Sequence, residues 1–224
     1  RFYINSIYIH TDYDPQLKTA SRDTFFSNDS TIYLLYTEKL RYKPRLITNA
    51  LFISNRELYQ QKHADQTYKR LSELKLFRSV QVQFSPISSN KLDCYIYLSN
   101  IPKQSFSAET EGTNTSGTLG IAGNLVYQNK NIFKAGEILE VTFKGALEAQ
   151  KKTDDTKNND VIITGAESVL PFNTLEIGGE VNLRLPHFLT PFPGLGTKSN
   201  NAKTNFTNSY NYQLRSDYWR SMAN

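Results

Sequence analysis

From Arg78 to Phe84 the chain alternates without a fault: Val80, Val82 and Phe84 fall on one side of an extended backbone, Ser79, Gln81 and Gln83 on the other. That is the pattern of a strand with one packed and one wet face. The turn-forming stretch SPISSNK follows, and LDCYIYL repeats the alternation with Leu92, Cys94, Ile96 and Leu98 on one side, so the two segments predict a hairpin. Upstream the period changes. Ala64, Tyr68, Leu71 and Leu74 recur at three- and four-residue steps, predicting an amphipathic helix from about Gln61 to Leu76 whose apolar stripe covers the hairpin. The segment FYINSIYIH at residues 2–10 predicts a first strand with Ile7 and Ile9 on one face, halted by TDYDPQ. Lys43-Pro44 opens a shorter helix, with Pro44 in the first turn and Leu46, Ile47, Ala50 and Leu51 as its apolar face, ending near Phe52. Residues 11–42 form an insertion in which SNDS separates FF from TIYLLY, either a local hairpin or a decorated loop. The order for residues 1–101 is strand, insertion, helix, helix, strand, strand.

Ile101-Pro102-Lys103 marks a boundary, because proline interrupts a ladder and restricts its predecessor. Beyond it the helical period does not return. Thr118 to Gln128 sets Leu119, Ile121, Gly123, Leu125 and Tyr127 against Gly120, Ala122, Asn124, Val126 and Gln128. Ile138 to Gln150 sets Leu139, Val141, Phe143, Leu147 and Ala149 against Glu140, Thr142, Lys144 and Glu148. Leu175 to Leu185 sets Leu175, Ile177, Val181, Leu183 and Leu185 against Glu176, Glu180, Asn182 and Arg184. Runs of about eleven residues suit tilted strands crossing a bilayer, which need ~9 to 11, better than soluble strands of ~5 to 6. The charged opposite faces fit a polar lumen inside a lipid-facing wall; a soluble sandwich also alternates, with shorter strands and more frequent turns. KKTDDTKNND and LPHFLTPFPG read as loops, VIITGAESVLPF at residues 161–172 as strand or elaborated loop, and NFTNSYNYQLRSDYWR as a return to β composition.

Composition narrows the class. In 224 residues with 38% apolar content and a mean hydropathy of −0.52, no run approaches the ~18 apolar residues of a spanning helix. A transmembrane barrel is untouched by that test, since its strands alternate. Fourteen Tyr, 13 Phe and one Trp suit the aromatic girdles of a barrel and equally a sugar-binding β domain. The net charge of +5 is spread along the sequence rather than gathered in one basic run, so no nucleic-acid partner is expected. The single cysteine, Cys94, allows no intramolecular disulfide and reads as a small buried hydrophobe. The only methionine is Met222, so the chain reads as a processed or excised piece.

Chemistry is sparse. There is no nucleophile motif, and His10, His63 and His187 fall at a strand end, a helix start and a loop. His10 with Asp12 and Asp14 has no standard metal spacing and reads as a turn cap. Gly117, Gly120 and Gly123 sit in an alternating strand, without the strand-turn-helix context of a phosphate loop. Glycosylation sequons begin at Asn28, Asn114 and Asn205 and matter only in a eukaryotic secretory protein. The sequence therefore predicts a non-enzyme with no cofactor and no metal.

Taken together, the first strand, two helices, TYKRLSELKLFRSVQVQF and LDCYIYL resemble a POTRA domain, the polypeptide-transport-associated module. The stretch from KQSFSAETEG through NLVYQNKNIFKAGEILEVTFKGALEAQ resembles the opening strands of the BamA/TamA outer-membrane assembly family. Within it, Asn131-Ile132-Phe133-Lys134-Ala135-Gly136-Glu137 looks like that family's second turn. The tyrosine-rich YNYQLRSDYWR looks closest to the TamL-like lipoprotein branch of Bacteroidota. The resemblance implies an α+β POTRA domain (βααββ) at residues 1–101, in the periplasm. After it would come the N-terminal strands, residues 104–224, of an antiparallel all-β transmembrane barrel, incomplete in this chain. It implies a factor that folds and inserts β-barrel proteins into a bacterial outer membrane; the alternatives are a passive outer-membrane secretion channel and a soluble β-rich binding domain. Its expected partners are nascent outer-membrane β-barrel proteins, periplasmic or lipoprotein assembly partners, and outer-membrane lipid. The lateral-gate strand would be Ser105, Phe106, Ser107, Ala108, Glu109, Thr110, Glu111 and Gly112, in which the gate and an ordinary paired strand remain equal readings. Lipid-facing positions would be Leu119, Ile121, Leu125, Leu139, Val141, Phe143, Leu147, Ile177, Val181 and Leu183. Strand pairing by the first domain would use Val80, Gln81, Val82, Gln83 and Phe84.

Overall fold

Two separate sheets carry the strands of this computed structural model, which describes residues 1–16, 23–26, 31–37, 39–115, 118–149, 174–187, 203–215 and 218–224. The first unit comprises Arg1–Lys103 together with Lys130–Glu137 and Leu185–Thr204; the second holds Gln104–Asn129, Ile138–Arg184 and Asn205–Asn224. The division is therefore not linear in sequence.

The first unit runs β1 (Tyr3–His10), β2 (Asp23–Phe26), β3 (Ile32–Tyr36), α1 (Pro44–Thr48), α2 (Gln61–Glu73), β4 (Phe77–Ser88) and β5 (Lys91–Asn100). Its sheet has the order β2-β3-β1-β5-β4. Strand β1 lies parallel to both β3 and β5, while β4 returns antiparallel to β5. The insertion supplies the antiparallel pair β2 and β3, so of the two readings of SNDS the hairpin holds, although residues 27–30 themselves lie outside the described residues. Alternation places Ile7, Ile9, Cys94, Ile96 and Leu98 wholly inside, where Ile47 of α1 and Leu71 of α2 close over them. Val80, Val82 and Phe84 pack partly against the same core.

Four local expectations are corrected. Thr67, not Tyr68, takes the inward position of α2, leaving Tyr68 exposed. The reason is chemical: the Thr67 hydroxyl accepts the Phe52 N–H at 2.9 Å and donates to the His63 carbonyl at 2.8 Å, so a polar side chain is satisfied inside. Helix α2 stops at Glu73 rather than Leu76, because Lys75 adopts a left-handed φ of 57°. Helix α1 ends at Thr48; the following turn bonds Ala50 N–H to the Ile47 carbonyl and delivers Ala50 and Leu51 to the core. Strand β4 continues through Pro86 to Ser88, leaving only Ser89 and Asn90 as the hairpin turn; Pro86 is tolerated because β4 is the outermost strand.

Asp12 and Asp14 are occupied by backbone: Asp12 accepts the Thr37 N–H at 2.7 Å and Asp14 the Gln16 N–H at 2.9 Å. His10 stacks on Tyr97 with ring centroids 4.7 Å apart. Asp93, nearly buried, was not foreseen. Its carboxylate accepts from Asn5 Nδ2 at 3.0 Å and from the Ser6 N–H at 3.1 Å, which spans the register irregularity between Ile4 and Ile7.

The second unit is a meander: β6 (Gln104–Thr115), β7 (Thr118–Lys130), β8 (Ile138–Ala149), β9 (Thr174–Leu185), β10 (Thr204–Leu214) and β11 (Trp219–Ala223). Each strand neighbours the next in sequence, and among the described residues β6 and β11 form the two edges of the sheet. Residues 151–160 and 161–172, read as a loop and as a strand or elaborated loop, lie outside the described residues, as does most of LPHFLTPFPG. No described helix is long and apolar enough to cross a membrane.

Burial pushes the Cys94 thiol up from 9.0 to about 12, with Asp93 adding to the rise, and it pushes the Tyr42 phenol up to about 12 against the opposing Arg41 charge. An unfolded thiol ionises near its ordinary value while the folded one keeps its proton, so folding stability falls as pH rises from about 9 towards about 12. Between pH 8 and pH 10 the first unit should lose about 1 kcal/mol through Cys94. Urea unfolding followed by helical circular dichroism checks this: Cys94→Ala should flatten the fall, leaving the smaller contribution of Tyr42, and an unchanged slope would refute it.

Candidate functional site

In the second sheet, the cross-strand register decides which side chains share a face. Phe106 stands opposite Tyr127, Ala108 opposite Leu125, and Gly112 opposite Ile121. Leu139 faces Leu183, Val141 faces Val181, and Leu147 faces Leu175. On the reverse face Gln128 donates to Glu140 at 2.9 Å, Lys144 pairs with Glu180 at 3.2 Å, and Asn211 donates to Glu176 at 2.6 Å. Those bonds tie β7 through β10 into one polar face, so the ten positions predicted to face lipid lie together on the opposite one.

Burial across this sheet is inverted relative to a soluble core. Phe106 is 74% exposed, Phe143 62%, Leu119 57%, Leu125 56% and Ile177 53%, with Ile121 and Val181 also exposed. Leu139, Val141, Leu147 and Leu183 are half-buried, as are the polar Glu140, Glu176, Glu180 and Asn182 behind them. A soluble monomer rarely exposes a contiguous apolar patch beyond a few hundred Å², and here each strand from β6 to β10 exposes at least one large apolar side chain. Strands of 12 and 13 residues in β6 to β9 extend ~40 Å, which a tilt near 45° reduces to the ~30 Å of a hydrocarbon layer.

Strand β6 ends the sheet. It pairs with β7 through an unbroken register from Gln104–Asn129 to Thr115–Thr118, and its other edge has no partner among the described residues. Ser105 through Gly112 are all exposed, with Phe106 tilted against Tyr127 at 4.8 Å. Strand β4 likewise ends the first sheet: Gln81 and Gln83 face outward, and its outer edge has no partner among the described residues.

The stretch Asn131 to Glu137, expected as a turn, is more elaborate than its sequence suggests. Asn131, Lys134 and Gly136 all have left-handed φ, at 65°, 63° and 84°, and Asn131 and Glu137 are buried. The Glu137 carboxylate accepts the N–H groups of Phe133 and Ala135, each at 3.2 Å, and the Asn131 side-chain oxygen accepts the Gly136 N–H at 3.1 Å. Three bonds fasten the turn to the rest of the first unit: Asn131 Nδ2 to the Arg41 carbonyl at 2.9 Å, Lys43 N–H to the Lys134 carbonyl at 2.7 Å, and Lys130 N–H to the Lys103 carbonyl at 2.8 Å. A β-carbon on Gly136 would meet Leu46 and Pro186 at 3.2 Å, so only glycine fits there without strain. The stretch NKNIFKAG marked the turn in the sequence; nothing local announced that Glu137 would fold back over it.

Comparison with protein-family models and with curated proteins finds no match. Among solved structures the chain is similar to BamA from Haemophilus ducreyi lacking POTRA domains 1–3, at 10% identity and a TM-score of 0.33, over 87% of this chain and 40% of that one. It is also similar to CdiB from Acinetobacter baumannii, at 14% identity and a TM-score of 0.39, over 88% of this chain and 41% of that one. The chain thus spans about two fifths of either structure. Superpositions this loose carry no argument, and the function must be read from this chain's own faces and edges.

Asn131→Ala removes two side-chain hydrogen bonds from a residue already in a left-handed conformation. Hydrogen exchange at the Gly136 and Lys43 amides should accelerate by about tenfold. Unchanged protection at both would show that the turn is held by packing alone.

Proposed function

We propose that the chain is part of an outer-membrane β-barrel protein of the BamA/TamA type, an assembly factor and not an enzyme, with residues 1–101 as a POTRA-like domain in the periplasm. One observation carries this reading: a meander of bilayer-length strands turns large apolar side chains outward while Glu140, Glu176 and Glu180 on the reverse face are half-buried. In water such a face is costly; in hydrocarbon it is the favoured arrangement. The first unit supports the same reading, because outside the inserted β2–β3 pair its elements run strand, helix, helix, strand, strand, the order expected of a POTRA-like domain.

The assembly role follows from the β6 edge. A strand entering hydrocarbon alone leaves each backbone N–H and C=O unsatisfied at several kcal/mol apiece, so an edge that offers partners lowers the barrier. Ser105 through Gly112 would serve as that edge, with nascent outer-membrane β-barrel proteins as clients. The outer edge of β4, at Val80, Gln81, Val82, Gln83 and Phe84, would take periplasmic or lipoprotein partners by strand addition. The TamL-like branch of Bacteroidota is the finer placement we favour, on the tyrosine-rich segment around Tyr210 and Tyr212. A passive secretion channel would share the same wall and differ in capturing no clients.

Two measurements test the proposal. Ile177→Lys on the outward face should cost the membrane-inserted form ~2 to 4 kcal/mol and deplete heat-modifiable barrel in membranes. Glu180→Gln, one step along the polar face side, should leave it nearly intact; equal effects would reject a lipid-facing wall. A photo-crosslinker at Ala108 in cells should capture newly made barrel proteins, while a folded barrel without capture would replace the assembly factor with the passive channel.

A further inference from the structure

A cavity of about 450 Å³ in the first unit gathers charge that the sequence scatters. Five of its lining residues are cations: Lys39, Arg41, Lys103, Lys130 and Lys134. Among the described residues no carboxylate lines it, and none of the five forms an ion pair. The chain has 26 basic and 21 acidic side chains; set these five aside and the remaining 21 cations balance the 21 carboxylates. The whole net charge of +5 is thus equal to the charge of this one cavity.

The rest of its lining is mostly apolar, with Leu40, Ile101 and Pro102 at the surface, Leu76 buried behind them, and Tyr42 and Asn131 completing the wall. Cations around a small concavity repel one another and raise its potential, and a bound anion relieves both. A purely inorganic anion has no use for the hydrocarbon floor. An amphiphile with an anionic head and an acyl chain uses both surfaces.

The backbone holds the cations in place. Lys103 directly precedes β6, Lys130 ends β7, and the two are joined by the Lys130 N–H to Lys103 carbonyl bond. Lys134 sits in the Asn131–Glu137 turn and its carbonyl takes the Lys43 N–H, while Arg41 gives its carbonyl to Asn131. All these bonds are made by main-chain atoms of the cationic residues, and among the described residues none of the five side chains has an ion-pair partner.

We infer that this cavity binds the phosphate-bearing headgroup of an anionic lipid, with part of an acyl chain over Leu40, Ile101 and Pro102. The inference rests on the membrane reading of the second unit, since Lys103 and Lys130 adjoin strands proposed to enter the bilayer. Basic pockets beside membrane-entering segments take anionic headgroups on this physical basis.

The test uses the intact protein in neutral detergent, with native mass spectrometry of equimolar phosphatidylglycerol and phosphatidylcholine. Wild type should retain phosphatidylglycerol preferentially, and the variant K103Q/K130Q/K134Q should lose that preference by roughly tenfold or more. K62Q/K69Q, which removes two exposed charges from α2, controls for bulk charge and should behave as wild type; the Lys43 amide protection reports that each variant keeps the turn. No preference in wild type, or a preference the triple variant retains, overturns the inference. Displacement of the lipid by equimolar glycerol phosphate also overturns it, in favour of a soluble phosphate ester. Should the protein prove soluble without detergent, the membrane reading fails separately, and the glycerol phosphate titration still reads the cavity.

Discussion

If the second sheet lies in a bilayer, as proposed above, backbone hydrogen bonds that water cannot replace are the constraint on which it depends. Its outward face is apolar, so each N–H and C=O between strands must find its partner across the ladder. The registers obey this: β6 and β7 pair through 12 consecutive positions and β8 and β9 through 11, without a shift. The first sheet is under no such demand. It carries irregularities between Ile4 and Ile7, between Phe77 and Ser79, and between Pro86 and Ser88. Where β1 breaks step, the Asp93 carboxylate supplies the missing acceptor. Two sheets in one chain thus show two tolerances for ladder defects, as two different solvents would impose.

A regular ladder leaves little room for improvisation at its ends, and the Asn131–Glu137 turn shows how one end is made. Three left-handed residues would fray in solution, since two of them, Asn131 and Lys134, are not glycine. The turn is instead closed by its own polar side chains, with Glu137 and Asn131 together accepting three of its N–H groups. Each such bond contributes about 1 kcal/mol net, more for the charged acceptor, which is enough to offset the strained conformations. The same Asn131 then reaches Arg41, so one residue both shapes the turn and anchors it.

Much of this was legible in the sequence because it depends on neighbours at one, two or four residues' distance. The strands at Val80 to Phe84 and Leu92 to Leu98, the apolar faces of β7 to β9, and the buried Cys94 all follow from periodicity. What escaped was set by groups far apart in the chain. Thr67 displaced Tyr68 on the inner face of α2 because Phe52 needed an acceptor, and no helical period encodes that. Glu137 read only as the last residue of a turn, since the N–H groups it accepts are presented by a backbone path that only the folded turn creates. The β6 residues were predicted as a strand, yet whether its far edge accepts another chain is a property of the partner, not of Ser105 to Gly112.

The charge illustrates the same limit and has a physical consequence. Along the sequence Lys39, Arg41, Lys103, Lys130 and Lys134 look like parts of an even basic background, and that evenness argued against nucleic acid. Folding concentrates them, but not into the stripe that a nucleic acid needs. A nucleic acid presents phosphates in a row and is met by a row of cations on an open surface. Here the cations surround one cavity of about 450 Å³ with Leu76 and Pro102 in its wall. Such a site accommodates one anionic group and an apolar appendage, so concentrating the charge strengthens the case against a polyanion while creating a case for a single amphiphile.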